Sequence, residues 1–276
     1  MKGFATGPSY DVITQAGTTK YESSEDKGAC MQLEVLANVE AVARRAAAII
    51  AKHARAAFVA RGRFILAVSA GHTPCVMLRL LGREEVPWGG VHVLQVDEQI
   101  APAGDPDRKL TQLWETLMEN TPLDPAQVYA MPVESPDLRA AVAEYARTLE
   151  KIAGSPPVLD LVHLVLGPDG HTASLLPGDP FLQVVNEDVA ITGVYQAGMR
   201  MTLTYPVINR ARQILWVVTG SEKIKSLGQL LDADLSIPAG GIRGEHVLVL
   251  ADRAAAGAKW EKHVALMQVS RPDTMH

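Results

Sequence analysis

The sequence predicts an α/β fold, a mainly parallel β-sheet with helices on both faces. Three observations predict it. Short apolar runs of strand length alternate with longer stretches of helical period. The runs are apolar at consecutive positions, as expected of strands buried on both faces. The strongest of them end in loops of Gly, Pro, Ser or Asp before a helical pattern resumes.

Taken in order, Met31–Arg61 carries Leu33, Val35, Leu36, Val39, Val42 and Ala46 at helical spacing among Arg44, Arg45, Lys52 and Arg55, which predicts one long amphipathic helix. Phe64–Val68 is a dense apolar strand followed by Ser69-Ala70-Gly71-His72-Thr73-Pro74 and a helix over Cys75–Leu81. A second such unit is the strand Val91–Val96, a loop from Asp97 to Asp105 and a helix over Asp107–Glu119. A helix over Asp137–Ile152 and the breaker Gly154-Ser155-Pro156-Pro157 precede a third buried strand, Leu159–Leu166, which ends in Gly167-Pro168-Asp169-Gly170-His171. Further strands are expected at Val189–Val194, Met201–Thr204, Ile214–Thr219 and His246–Leu250, with a helix over Ser221–Leu231. The expected organisation is a loose arm over 1–30, one α/β domain over 31–268 and a frayed end from Val269 to His276.

Composition narrows the function classes. The chain has 276 residues, 47% of them hydrophobic, enough for a large core without an external staple. A formal net charge of -5, with no run of five or more Lys or Arg, predicts no nucleic-acid partner. No apolar stretch reaches the ~18 residues of a transmembrane helix, so no membrane partner is expected. Two cysteines, Cys30 and Cys75, form neither a disulfide framework nor a metal motif and fit a reducing cytoplasm. No HExxH, Cys/His cluster, Walker loop or GxGxxG is present, so neither a metal nor a cofactor is expected.

In an open parallel sheet, ligands bind beyond the carboxyl ends of strands, so the three loops are where chemistry is expected. Ser69 and Thr73 offer hydroxyls, Gly71 permits close backbone approach and Pro74 starts a helix whose free amides suit a phosphate; the same residues also make an ordinary strand-to-helix turn. Asp97 and Glu98 are adjacent carboxylates at the end of a buried strand, there to orient a base or to bind sugar hydroxyls, with a helix cap or a solvated turn as the alternative. In the third loop Pro168 and Gly170 permit a tight turn that holds His171 at the rim of the sheet, where an imidazole takes a proton from water near neutral pH. A turn cap is the alternative role for His171. The other histidines, His53, His92, His163, His246, His263 and His276, are scattered and expected to be core or surface residues.

Together LAVSAGHTP, VLQVDEQIAP, LDLVHLVLGPDGHTASLLPGDP, RMTLTYPVINRARQILWVVTGSEK and IPAG resemble the successive motifs of the 6-phosphogluconolactonase family, over roughly Phe64 to Gly241. The stretch GPDGHTASLLPG is the most specific. The wider group includes glucosamine-6-phosphate deaminase, whose corresponding Asn-Glu-Pro continuation is absent here, and Leu175-Leu176-Pro177-Gly178 points to the lactonase branch. The resemblance implies a Rossmann-like sheet and hydrolysis of 6-phosphogluconolactone in the oxidative pentose phosphate pathway, with neither metal nor cofactor. It implies a small phosphorylated sugar lactone as partner and a protein working as a monomer or homodimer. By the same resemblance His171 activates water, and Asp97, Glu98 or Asp169 orients the imidazole or the substrate. Ser69, Gly71 and Thr73 hold the phosphate, with Arg200 and Lys223 adding positive charge.

The chain departs from the family pattern at three places. His72 stands where a small hydroxyl is usual, Gln99 where an arginine is usual, and Asp107-Arg108-Lys109 where Asp-Ser-Asn is usual. His72, Gln99, Arg108 and Lys109 therefore join the candidate substrate-binding residues. Two rival readings follow from the residues. One takes Ser69, Asp97 and His171 as a nucleophilic triad in α/β-hydrolase order, though the first glycine of the nucleophile elbow is missing. The other is a sugar-phosphate sensor that keeps the fold without the chemistry.

Overall fold

A computed structural model describes residues 10–15, 18–23, 30–184, 186–193, 198–244 and 246–257. The expected frayed end and the expected domain limit at 268 lie outside these residues. In chain order the elements are β1 (Tyr10–Gln15), β2 (Thr18–Ser23), β3 (Cys30–Leu36), α1 (Val39–Arg61), β4 (Phe64–Val68), α2 (His72–Leu81), β5 (Val91–Gln95), β6 (Asp97–Gln99), α3 (Lys109–Thr116) and β7 (Val128–Tyr129). They continue as α4 (Leu138–Ala153), β8 (Leu161–Val165), β9 (Val189–Ile191), β10 (Arg200–Leu203), α5 (Tyr205–Asn209), β11 (Ile214–Val218), α6 (Ile224–Leu231) and β12 (His246–Asp252).

The main sheet has the order β1-β2-β3-β12-β11-β8-β4-β5-β7. From β3 to β7 every neighbouring pair is parallel, while β1 and β2 add antiparallel at one edge. From β4 the chain steps outward to β5, then returns to place β8 on the other side of β4. This reversal opens a crevice at the carboxyl ends of β4 and β8, the usual ligand position in such sheets.

Both faces of the sheet are covered, as the apolar runs require. Phe64, Leu66 and Val68 of β4 face the layer of α1 and α2, whereas Ile65 and Ala67 face the opposite core with Tyr145 of α4 and Leu227 of α6. Helix α1 lies close on the sheet because Ala43, Ala46, Ala47, Ala51 and Ala54 are buried there without bulk. A second sheet, β6-β10-β9, is antiparallel and begins directly after β5.

The long helix expected from Met31 is divided: Cys30–Leu36 is a strand and the helix begins after Asn38. Met31-Gln32-Leu33-Glu34-Val35 alternates apolar and polar, and the parallel ladder to β12 decides in favour of the period of two. Glu34, buried on this strand, is held by Arg45 of α1 at 2.9 and 3.1 Å. The Asn38 side chain accepts from the Ala41 amide at 2.9 Å, a helix start within the expected helix. The residues expected as a loop from Asp97 instead open with β6, paired to β10. Within the expected loose arm, β1 and β2 form a hairpin that joins β3.

Candidate active site

The loops after β4, β8 and β11 converge on a groove of about 430 Å³ whose walls include Gly71, His72, Thr73, His171, Thr219 and Lys223. That size suits a small ligand. A larger groove of about 800 Å³ between α4 and β9 contains none of the residues singled out from the sequence.

The β8 loop is a tight turn. The Gly170 amide donates to the Gly167 carbonyl at 3.0 Å, and the Gly167 amide to the His171 carbonyl at 2.8 Å. Gly170 sits at φ 83°, and a Cβ there would run into Ile237. A Cβ on Gly167 would run into the imidazole of His171 and the carboxylate of Asp169. These two side chains meet at 2.5 Å, Nδ1 to Oδ1. An ionised carboxylate only accepts, so Nδ1 donates to Asp169, and in the neutral ring that tautomer leaves the Nε2 lone pair free. With His171 28% exposed, this is an oriented imidazole at a groove wall, the arrangement a general base needs.

On the facing side, Gly71 at φ 135° turns the chain into α2, and no side chain caps that helix start. His72 and Thr73, whose amides open the helix, both line the groove, and the first amides of a helix have no intrahelical acceptor. The hydroxyls of Thr73 and Thr219 meet at 2.8 Å and tie this loop to the end of β11. Lys223 lies 3.7 Å from Glu222, with its side chain 17% exposed on the groove wall. Gly220, at φ 98°, donates its amide to Asp252 of β12 at 3.1 Å.

Several candidates lie elsewhere than expected. Glu98 is fully buried: its carboxylate accepts from the Gln95 side chain and from the amides of Gln99, Lys109 and Leu110 at 2.8–2.9 Å. It caps α3, which has no side-chain cap of its own, and so is unavailable to substrate. Arg108 is only 3% exposed, 3.3 Å from Glu98, and bonded to the Ala101 carbonyl and Glu134. The substrate-binding role expected of Arg108 is corrected on this ground, since its charge is engaged by Glu98 and Glu134. Asp97 is buried and bonded to Lys109 and to the Ser174 hydroxyl, so the Lys109 charge is also engaged. Gln99 and Arg200 are register partners on β6 and β10 and do not line the groove.

Ser69 is buried, and its hydroxyl donates to the His163 carbonyl at 3.1 Å. That engagement takes away the exposed Oγ that a nucleophile at this position would need. Its amide donates to Nδ1 of His163 at 3.3 Å. Burial pulls the His163 pKa down to about 3, so this histidine is neutral. Asp169 alone of the three candidate carboxylates reaches the imidazole of His171. Ser174, Thr219 and Asp252 were not legible as site residues; Thr219-Gly220 after an apolar strand was the nearest signal. Among the described residues no group of three or more His, Cys, Asp or Glu could hold a metal ion, and no helix is long and apolar enough to cross a membrane.

Known proteins resemble this chain in sequence and in fold. A 6-phosphogluconolactonase from Synechocystis sp. is 32% identical over 203 residues, covering 72% of this chain and 84% of that protein. One from Rattus norvegicus is 33% identical over 225 residues, covering 75% and 86%. Among solved structures, a 6-phosphogluconolactonase from Thermotoga maritima aligns with a TM-score of 0.73 at 22% identity, over 80% of this chain and 99% of that one. A monomeric glucosamine-6-phosphate deaminase aligns with a TM-score of 0.72 at 19% identity, over 81% and 98%. At those identities the structures establish the shared fold. With residues 37–250 matched by the model of glucosamine-6-phosphate isomerases/6-phosphogluconolactonase, a span holding both the β4 loop and the Asp169–His171 pair, the chain belongs to that family.

Proposed function

We propose that this protein is a 6-phosphogluconolactonase that opens the lactone ring with water activated by His171. The observation that carries the reading is the Asp169–His171 pair, 2.5 Å apart, on the wall of a groove that also holds the β4 loop and Lys223. The relatives named as lactonases support the same choice over a deaminase.

Nε2 of His171 takes a proton from water as the water oxygen bonds to the lactone carbonyl carbon. The carbonyl π pair moves onto its oxygen, and Asp169 stabilises the imidazolium that forms. Collapse of the tetrahedral intermediate breaks the bond from that carbon to the ring oxygen, which takes the proton back from His171. The products are the open hydroxyl and a carboxylic acid, which ionises in water. The phosphate, far from the reacting carbon, is held by Lys223, the Thr73 hydroxyl and the first amides of α2. His72 at the same loop supplies a further donor.

The test measures opening of 6-phosphogluconolactone and of unphosphorylated gluconolactone side by side, each against its spontaneous rate. Acceleration that strongly favours the phosphorylated lactone is expected. No acceleration of either, as a sensor would show, or equal acceleration of both, overturns the reading.

A further inference from the structure

The segment behind His171 is held in a conformation that its residues do not favour. Thr172 and Leu175 bridge each other, the Leu175 amide donating to the Thr172 carbonyl at 2.8 Å, so Ala173 and Ser174 form the two centres of a tight turn. Ala173 lies at φ 51° and Ser174 is not in the left-handed region, the sign pattern of a type II′ turn, whose first centre normally calls for glycine. Alanine at that position is strained, and strain persists only where the surroundings hold it. The holding bonds converge on Ser174. Its hydroxyl donates to Asp97 Oδ2 at 2.5 Å and its amide to Thr202 Oγ1 at 3.2 Å, with all three residues buried. Lys109 pairs with the same carboxylate oxygen and fixes it.

We propose that Ser174 is a positioning residue for His171. Its bond to Asp97 locks the 172–175 turn and thereby sets the imidazole against Asp169. Asp97 then acts two contacts away from the reacting atoms, through Ser174. The inference rests on the hydrolase reading, yet the geometry it describes is measurable without turnover.

Ser174→Ala is expected to lower kcat for 6-phosphogluconolactone at least about tenfold, because misplacing a catalytic group by a fraction of an ångström is costly. KM is expected to stay within about twofold, since the phosphate is held by other loops. Ala173→Gly added to Ser174→Ala is expected to restore most of the loss, because glycine adopts φ > 0 unaided. In parallel, the low-field proton resonance of His171 Nδ1 should be present in the wild type, lost in Ser174→Ala and recovered in the double variant. Should Ser174→Ala fail to fold, Thr202→Val removes the other bond and is expected to lower kcat several-fold with KM unchanged.

A kcat for Ser174→Ala within about twofold of wild type, or a loss that Ala173→Gly does not repair, overturns the proposal. If the wild type opens no lactone, the hydrolase reading fails and the resonance decides the positioning role on its own. Its survival in Ser174→Ala then refutes that role, and its loss and recovery supports it.

Discussion

Gly167→Ala is the sharpest single perturbation of the site. Gly167 is not among the residues with positive φ, so its backbone accepts alanine. The added methyl collides with the imidazole of His171, at Nδ1 and Cε1, and with Oδ1 of Asp169. Both groups must withdraw by about 1 Å to reach ordinary contact distance. They are 28% and 35% exposed, so they can yield toward the groove while the β8 strand stays in place. The energetic consequences separate accordingly. Filling the gap costs stability at the low end of the ~1–3 kcal/mol of overpacking, partly offset by up to about 1 kcal/mol from the stiffer unfolded chain. Displacing a general base by about 1 Å costs on the order of 100-fold in rate, about 2.7 kcal/mol of barrier. Steady-state kinetics with 6-phosphogluconolactone, alongside thermal unfolding, should show kcat down about 100-fold with KM and Tm little changed. A folded Gly167→Ala protein with kcat within about threefold of wild type would refute the assignment of His171 as base, because no base could be moved that far at so little cost.

Three further outcomes follow from the same geometry. Lys223→Ala should raise KM for the phosphorylated lactone about tenfold while leaving the unphosphorylated lactone unaffected, the loss of one charge-assisted contact; comparison of the two substrates checks it. Arg108→Ala leaves the buried Glu98 carboxylate hydrogen-bonded but without its counter-charge and should cost about 3 kcal/mol in urea unfolding, while KM stays within about twofold; a large KM effect on folded protein would restore Arg108 as a substrate contact. Stability should also depend on His163. Its folded pKa of about 3 lies below the unfolded value near 6.5, so the unfolded chain binds the extra proton, and stability falls as pH drops through 6.5 toward 3. At pH 5 the loss from this group is about 2 kcal/mol relative to pH 7.5. His163→Gln should remove that part of the pH slope, as urea titrations at the two pH values will read.

Much of this was legible in the sequence where the determinants are local. The strands β4, β5, β8 and β11 are dense apolar runs that only a doubly covered sheet accommodates, and the pair Asp169–His171 is separated by one glycine. What was not legible depends on depth or on distance along the chain. Asp97 and Glu98 follow a buried strand, yet nothing local states that they point inward, where Glu98 meets the start of α3 and Asp97 meets Ser174, 77 residues away. Arg108 reads as a free cation until that carboxylate is placed beside it. The strand β3 was concealed because Leu33, Val35 and Leu36 continue smoothly into the helical period of α1, and only the ladder to β12 separates the two. The short helix α5 is too brief for periodicity to register.

His171 is the residue whose loss should abolish the chemistry. Its replacement by alanine, with thermal unfolding showing the fold retained, is to be measured against the spontaneous opening of 6-phosphogluconolactone. The predicted result is a rate indistinguishable from the spontaneous one with binding of the product 6-phosphogluconate preserved, and a His171→Ala protein that turns over at the wild-type rate would contradict the mechanism.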